Sequence, residues 1–190
     1  MIETDTEVRS CFFMNPNNNR MQKLVLAAMF AALGCVATMV IQIPAPTGYV
    51  NLGDAIVLLA GFTLGPAYGF VAGGLGPAMA DLLLGYGMYA PGTFVIKGLV
   101  AVIASLILMV YYRLKKEPTI SRLLVCTIPA EGFMALGYSA YEMLILKYGA
   151  GAAAAIPANL MQGLVGVAAA VVLFRLLYRV PALRERFWKG

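Results

Sequence analysis

A long apolar run from Asn51 to Leu84 limits what this chain can fold into. Its only charged side chains are Asp54 and Asp81. As one straight helix the run would be about 51 Å long, whereas the hydrocarbon core of a bilayer is about 30 Å thick. We therefore predict that the run folds back once. Gly65-Pro66 is the favoured place, because this dipeptide interrupts a helix.

The composition places the whole chain in a membrane. Hydrophobic residues make up 61% of the sequence and charged residues 12%, which is too little polar surface to cover a soluble domain. Histidine is absent, so a transition-metal site is not expected. The sequence also lacks a GxxxxGK[ST] phosphate-binding loop. No cofactor, metal or catalytic residue is predicted.

The apolar segments predict an all-α integral membrane domain over residues 22–180. A cytoplasmic N-terminal tail, residues 1–21, precedes it, and a basic cytoplasmic tail, residues 181–190, follows it. Each predicted helix is bounded by turn-forming or charged residues. The six predicted helices are Gln22 to Ile43, Leu52 to Leu64, Tyr68 to Leu84, Thr93 to Tyr112, Leu123 to Leu146 and Ile156 to Tyr178.

The basic residues predict the orientation of these helices. Of fourteen lysines and arginines, all except Lys97 and Lys147 lie at or before the first turn of the first helix, between the fourth and fifth helices, or from the last turn of the sixth helix onward. These regions share one side of a six-helix topology, and basic residues mark the cytoplasmic side. Both termini are therefore predicted to be cytoplasmic. The net charge of +5 is then a topology signal, and no nucleic-acid partner is expected.

The same topology carries polar side chains from five helix ends to the outer face. Glu131 and Tyr138 share a face of the fifth helix, because they are two turns apart. Lys97 is the only intramembrane cation that could pair with Glu131. A set of amides, carboxylates and aromatic rings open to one side suits a small polar molecule with a flat ring. The predicted substrate-binding residues are Asn51, Asp54, Tyr86, Thr93, Lys97, Glu131, Tyr138, Asn159 and Gln162.

Each of these signals has a purely structural alternative. The predicted Lys97–Glu131 ion pair could only fix helix packing. Asp54 could cap a helix, and the tyrosines could form an interfacial aromatic belt. Asn159 and Gln162 could hydrogen-bond between helices. The glycine pair in the third predicted helix is read as tight packing. The cysteines Cys11, Cys35 and Cys126 lack metal-like spacing and are expected to be reduced.

The sequence YVNLGDAIVLLAGFTLGPAYGFVAGGLGPAMADLLLGY, followed by APGTFVIKG, resembles the substrate-binding S components of energy-coupling factor (ECF) transporters. The resemblance implies a six-helix, non-enzymatic protein of the bacterial or archaeal cytoplasmic membrane that binds a vitamin near its outer face. It also implies docking onto a transmembrane coupling subunit that carries two ATPase subunits, and delivery of the vitamin by toppling in the lipid. By this resemblance PAPTGYV would be a lid, and the docking residues would be Ala27, Ala28, Ala31 and Ala32.

The resemblance favours pyridoxine (vitamin B6) or hydroxymethylpyrimidine as the substrate, with pantothenate and riboflavin as alternatives. Tyrosines would stack on the ring, while Lys97, Asn159 and Gln162 would bond its polar groups. Other classes of function stay open. A stand-alone secondary transporter would need no ATPase partner, a membrane enzyme would use the buried carboxylates, and a structural protein would need no polar site.

Overall fold

The computed structural model describes residues 20–184, except 41, 46, 47, 115 and 182. The predicted N-terminal tail, most of the C-terminal tail and Cys11 lie outside this part. In the described part of the chain the elements are five α-helices, a β-hairpin between the first two helices, and a 3₁₀ helix before the last. In chain order they are α1 (Arg20–Val40), β1 (Gln42–Ala45), β2 (Gly48–Asn51), α2 (Gly53–Leu83), α3 (Ala90–Arg113), α4 (Ile120–Leu144), the 3₁₀ helix (Gly149–Ala155) and α5 (Ile156–Arg179).

Helix α2 is broken at the predicted place. Gly65 has φ 79° and ψ −178°, a conformation open essentially to glycine alone. A Cβ atom placed on Gly69 would lie 3.0 Å from Cα of Gly61, although eight residues of straight helix extend about 12 Å. The first arm (53–64) and the second arm (66–83) therefore lie side by side and run in opposite directions. The predicted fold-back is observed.

Small residues allow the close packing of these helices. A Cβ atom on Gly73 would lie 3.1 Å from both Cβ of Ala101 and Cγ1 of Val57. A Cβ atom on Gly76 would overlap the carbonyl oxygen of Ala31 in α1, and one on Gly61 would overlap that of Ala101 in α3. Backbone approach of this kind supplies much of the packing between membrane helices. The predicted packing role of Gly69 and Gly73 is confirmed.

Helix α1 turns one of its predicted alanine pairs inward. Ala27 and Ala31 are buried against α2, whereas Ala28 and Ala32 are exposed. The inward pair is occupied by packing within this chain. Only Ala28 and Ala32 are thus available for the docking that the sequence predicts.

The main apolar core lies among α2, α3, α4 and α5. Phe62 of the first α2 arm packs edge-on against Phe174 of α5, with ring centroids 5.3 Å apart. Val100 of α3 and Met134 of α4 are fully buried in the same cluster. Large apolar side chains also cover the outer faces of the helices, as at Leu136, which is 73% exposed. Such a surface suits contact with lipid.

All five helices are long and apolar enough to cross a membrane, the last one counted together with the 3₁₀ helix. Their ends differ from the predicted ones where local structure intervenes. Helix α1 ends at Val40, because the chain enters a strand at Gln42. Helix α3 begins at Ala90, three residues before the predicted start, since Pro91 fits the first turn of a helix.

The predicted loop between the first two helices is a short antiparallel hairpin. Ile43 pairs with Val50, and Pro44 pairs with Tyr49. The second strand leads directly into α2 through Asn51, whose side-chain oxygen accepts a hydrogen bond from the Gly53 amide at 2.9 Å. The hairpin is thereby fixed to the start of α2.

Candidate ligand-binding site

A cavity opens at the end of the bundle where the hairpin lies. Its empty space, counted together with the open mouth, is about 480 Å³. We call it the tyrosine cavity. The described residues that line it come from the hairpin, the end of α2, the start of α3, the end of α4, the 3₁₀ helix and the start of α5. They are Ala45, Tyr49, Asn51, Asp81, Tyr86, Tyr89, Thr93, Tyr138, Glu142, Ala155, Ala158, Asn159 and Gln162.

Asp81 joins four elements around the cavity. One carboxylate oxygen accepts a hydrogen bond from the Tyr49 hydroxyl at 2.6 Å, and the other accepts one from Thr93 at 2.5 Å. The Thr93 hydroxyl in turn accepts from the Tyr138 hydroxyl at 3.0 Å. Hairpin, α2, α3 and α4 are therefore linked through one buried carboxylate. Hydrogen bonds to an ionised acceptor are about twice as strong as neutral ones.

A row of tyrosine rings forms one wall of the cavity. The Tyr49 and Tyr86 ring centroids are 5.0 Å apart, and those of Tyr86 and Tyr89 are 6.4 Å apart. The Tyr89 hydroxyl donates to Oε1 of Glu142 at 3.1 Å. Burial, together with the neighbouring carboxylates Asp81 and Glu142 respectively, raises the pKa of Tyr49 and of Tyr89. Both phenols therefore stay protonated at neutral pH and remain hydrogen-bond donors.

Two amide side chains on α5 reach the cavity from the other side. Gln162 accepts a hydrogen bond from the Asn51 backbone amide at 3.0 Å. Asn159 differs, because its buried Nδ2 donates no hydrogen bond to any described residue. A buried amide without an acceptor is costly. The Asn159 amide is therefore a donor available to a ligand in the cavity.

Three predicted site residues lie outside the cavity lining, in what we call the buried charge cluster. It consists of Asp54, Lys97 and Glu131, all at least 95% buried. The Lys97 ammonium forms an ion pair with Oδ1 of Asp54, and Gln162 donates to Oδ2 of Asp54 at 2.7 Å. The expected pairing of Lys97 with Glu131 is wrong. The α2 turn brings Asp54 to Lys97, and spacing along separate helices could not indicate that neighbour.

The tyrosine cavity unites the other six predicted residues, namely Asn51, Tyr86, Thr93, Tyr138, Asn159 and Gln162. The predicted set omitted Asp81, Tyr89 and Glu142, although their polar side chains at the same helix ends were a usable signal. Tyr49 was missed because its loop was not expected to form strands. Ala45, Ala155 and Ala158 carry no chemical signal. Across the described residues no three potential metal-ligating side chains cluster.

The chain is similar to one known family and to other known proteins. The family profile described as ECF-type riboflavin transporter, S component, matches residues 18–179. A protein of Pyrococcus woesei described as uncharacterized is 37% identical over 122 residues, which is 63% of this chain and 76% of that protein.

A solved structure described as the S component of a bacterial ECF transporter shares the fold. Its TM-score is 0.66 at 22% identity, over 85% of this chain and 98% of that one. The profile match covers most of the chain, so the predicted S-component membership and the predicted location in the cell membrane are both confirmed. The chain belongs to the family of S components of ECF-type riboflavin transporters and is a multi-pass membrane protein.

Proposed function

We propose that this chain is the vitamin-binding subunit of an ECF transporter and that it takes up riboflavin through the tyrosine cavity. Membership of the riboflavin-type family supports this choice over the pyridoxine or hydroxymethylpyrimidine favoured by the sequence. A three-ring flavin with a hydroxylated side chain offers both a flat face and many hydrogen-bonding groups. The cavity offers complementary partners for each.

The tyrosine row would hold the flavin ring. Aromatic rings attract one another in offset and edge-to-face arrangements with centroids 4.5–7 Å apart. Tyr86 is half-buried between Tyr49 and Tyr89, so a ligand ring entering the opening would meet aromatic surface first. The free donor of Asn159 would bond a ring carbonyl, and the hydroxyl and carboxylate groups around Asp81 would bond the side chain.

The observation that carries the substrate choice is the charge of the cavity wall. Asp81 and Glu142 line it, while none of the described lining residues is a lysine or arginine. The nearest buried cation, Lys97, is already paired with Asp54. An anionic ligand would therefore meet two acidic groups with no cation to compensate. Pantothenate, which carries a carboxylate, and phosphorylated flavins are disfavoured, whereas uncharged riboflavin is not.

Titration of the purified protein with riboflavin tests this proposal, because flavin fluorescence is quenched by stacking on tyrosine. Pyridoxine, hydroxymethylpyrimidine, pantothenate and riboflavin phosphate serve as competitors. We expect saturable binding of riboflavin, weaker binding of its phosphate, and no competition from the others. Mass spectrometry of molecules released on denaturation gives an independent answer. Release of pyridoxine or pantothenate, without riboflavin binding, would overturn the substrate assignment.

We further propose six membrane crossings with both termini cytoplasmic, the two arms of α2 counting as separate crossings. The fold-back at Gly65 and the distribution of lysine and arginine support this topology. It places the tyrosine cavity at the outer face and its hairpin as the lid. Cysteine labelling of whole cells at Lys147 (outside) and Lys116 (inside), after substitution of each by cysteine, tests the orientation.

Docking onto the coupling subunit is proposed to use Ala28 and Ala32, the exposed alanine pair on α1. Substituting both by leucine should abolish riboflavin uptake in cells while riboflavin binding by the purified variant is unchanged. Leu33→Ala, which changes an exposed residue on a different face of the same helix, is the matched control and should preserve uptake. Uptake that persists in cells without any coupling module would instead favour a stand-alone secondary transporter.

A further inference from the structure

The buried charge cluster contains two carboxylates and one cation. Both carboxylate oxygens of Asp54 have a partner, because one pairs with the Lys97 ammonium and the other accepts a hydrogen bond from Gln162. Glu131 differs, because neither of its carboxyl oxygens accepts a hydrogen bond from any residue in the described part of the chain. Its side chain is nevertheless 95% buried. A carboxylate ion in this position would be desolvated without compensation.

Among the described residues, Lys97 is the only cation that interacts with Glu131. From α5 it faces two glycines, since a Cβ atom on Gly163 would lie 3.5 Å from Oε2 and one on Gly166 would lie 3.7 Å from Oε1. The same Cβ position on Gly166 is 2.7 Å from Cβ of Asp54, so the side chains of Asp54 and Glu131 are close neighbours. Lys97 of α3 interacts with it electrostatically, and Tyr138 is the titratable group two turns further along its own helix.

We propose that Asp54, Lys97 and Glu131 form a proton-binding site in which one ammonium serves two carboxyl groups and one proton occupies Glu131. The cluster then carries no net charge, because Asp54 is ionised, Lys97 is charged and Glu131 is a neutral carboxylic acid. An uncompensated negative charge inside hydrocarbon is costly, and protonation of Glu131 removes that charge. The ligand of this site is the proton, and the site is distinct from the tyrosine cavity.

The cluster is nevertheless joined to the cavity wall through two shared residues. Gln162 lines the cavity and donates to Asp54, while the Lys97 ammonium lies 5.4 Å from the centroid of the Tyr138 ring. Keeping the proton on Glu131 leaves Lys97 with Asp54, and this in turn keeps Gln162 oriented towards Asn51. The proton thus holds one wall of the cavity in the described arrangement.

Infrared spectroscopy of the ligand-free protein at neutral pH tests the site. The C=O stretch of a protonated carboxylic acid should be present in the native protein and absent from Glu131→Gln. Glu117→Gln, which changes an exposed glutamate, is the matched control and should keep the band. No difference between the native protein and Glu131→Gln would overturn the proposal. Because the measurement needs no vitamin, a failure of riboflavin to bind would count against the proposed function alone.

A second variant tests the sharing of the cation. In Asp54→Asn the ammonium of Lys97 loses its ionised partner, so Glu131 should give up its proton to replace it. The carboxylic acid band should then disappear from a protein that still elutes as a single species with native helix content. A band that persists in this folded variant would show that the proton is independent of Lys97, and the shared site would be rejected. The comparison with Glu131→Gln stands whether or not Asp54→Asn folds.

Discussion

The two aspartates of α2 make a direct comparison, because they sit near opposite ends of the helix and have different partners. Asp54, in the first arm, is held by a cation and an amide and is fully buried. Asp81, near the end of the second arm, is held by two hydroxyl groups and lines the tyrosine cavity. Hydroxyl donors stabilise a carboxylate without cancelling its charge. The same residue type therefore supports packing at one position and places an acidic group in the wall of the ligand site at the other.

The largest effect should come from removing the cation at the first aspartate. Lys97→Met leaves Asp54 buried without its ion-pair partner, which costs on the order of 3–5 kcal/mol of unfolding free energy. Thermal unfolding in detergent should show a large fall in stability. Combining Lys97→Met with Asp54→Asn should recover much of it. Lys116→Met, at an exposed position, should have almost no effect, and equal losses in both lysine variants would contradict the comparison.

A smaller effect, on binding rather than folding, is expected at the second aspartate. Asp81→Asn cannot accept from both Tyr49 and Thr93, and loss of a hydrogen bond to a charged group costs about 1.5–3 kcal/mol. Riboflavin affinity should therefore fall by about 10- to 100-fold, while the unfolding temperature changes less than in Lys97→Met. Fluorescence titration and a melting curve measure the two quantities on one preparation. Unchanged affinity would remove Asp81 from the site.

The hairpin contact to Asp81 should contribute less again. Tyr49→Phe keeps the ring and removes the hydroxyl that donates to Asp81, a change of about 1 kcal/mol or roughly fivefold in affinity. Tyr86→Phe is the matched control, since its hydroxyl makes no hydrogen bond within the described residues, and it should bind almost as the native protein does. Equal losses in both variants would mean that ligand contacts, rather than the link to Asp81, determine the effect.

The smallest effect concerns pH. The raised pKa of Tyr49 means that the stabilising neutral phenol is fully present below its unfolded value, about 10, and is lost only as pH rises through the higher folded value. The ratio of native to Tyr49→Phe affinity should therefore stay constant from about pH 6 to about pH 9. A ratio that falls within this range would show that the phenol ionises earlier, and that the link to Asp81 is weaker than the structure indicates.

The sequence allowed some of these features to be predicted and not others. The fold-back at Gly65 was predictable, because the length of the apolar run and the Gly-Pro pair both require it. The partner of Lys97 was not, since periodicity assigns a residue to a helix face but does not say which helix packs against that face. Tyr49 was not predicted as a site residue, because two nearby prolines indicated an irregular loop. The free amide donor of Asn159 could not be predicted either, because the lack of an acceptor near it is a property of the tertiary structure.

Gly65 has a mechanical consequence for the distant ligand site. The second arm of α2 extends about 23 Å from the turn to Asp81, so a rotation of about 3° at the turn would displace the carboxylate by about 1 Å. Asp54, on the other arm, would not follow. The relative position of the two aspartates thus depends on the backbone geometry of one turn far from either of them. Small residue changes around that turn could retune vitamin affinity without altering a single atom of the cavity wall.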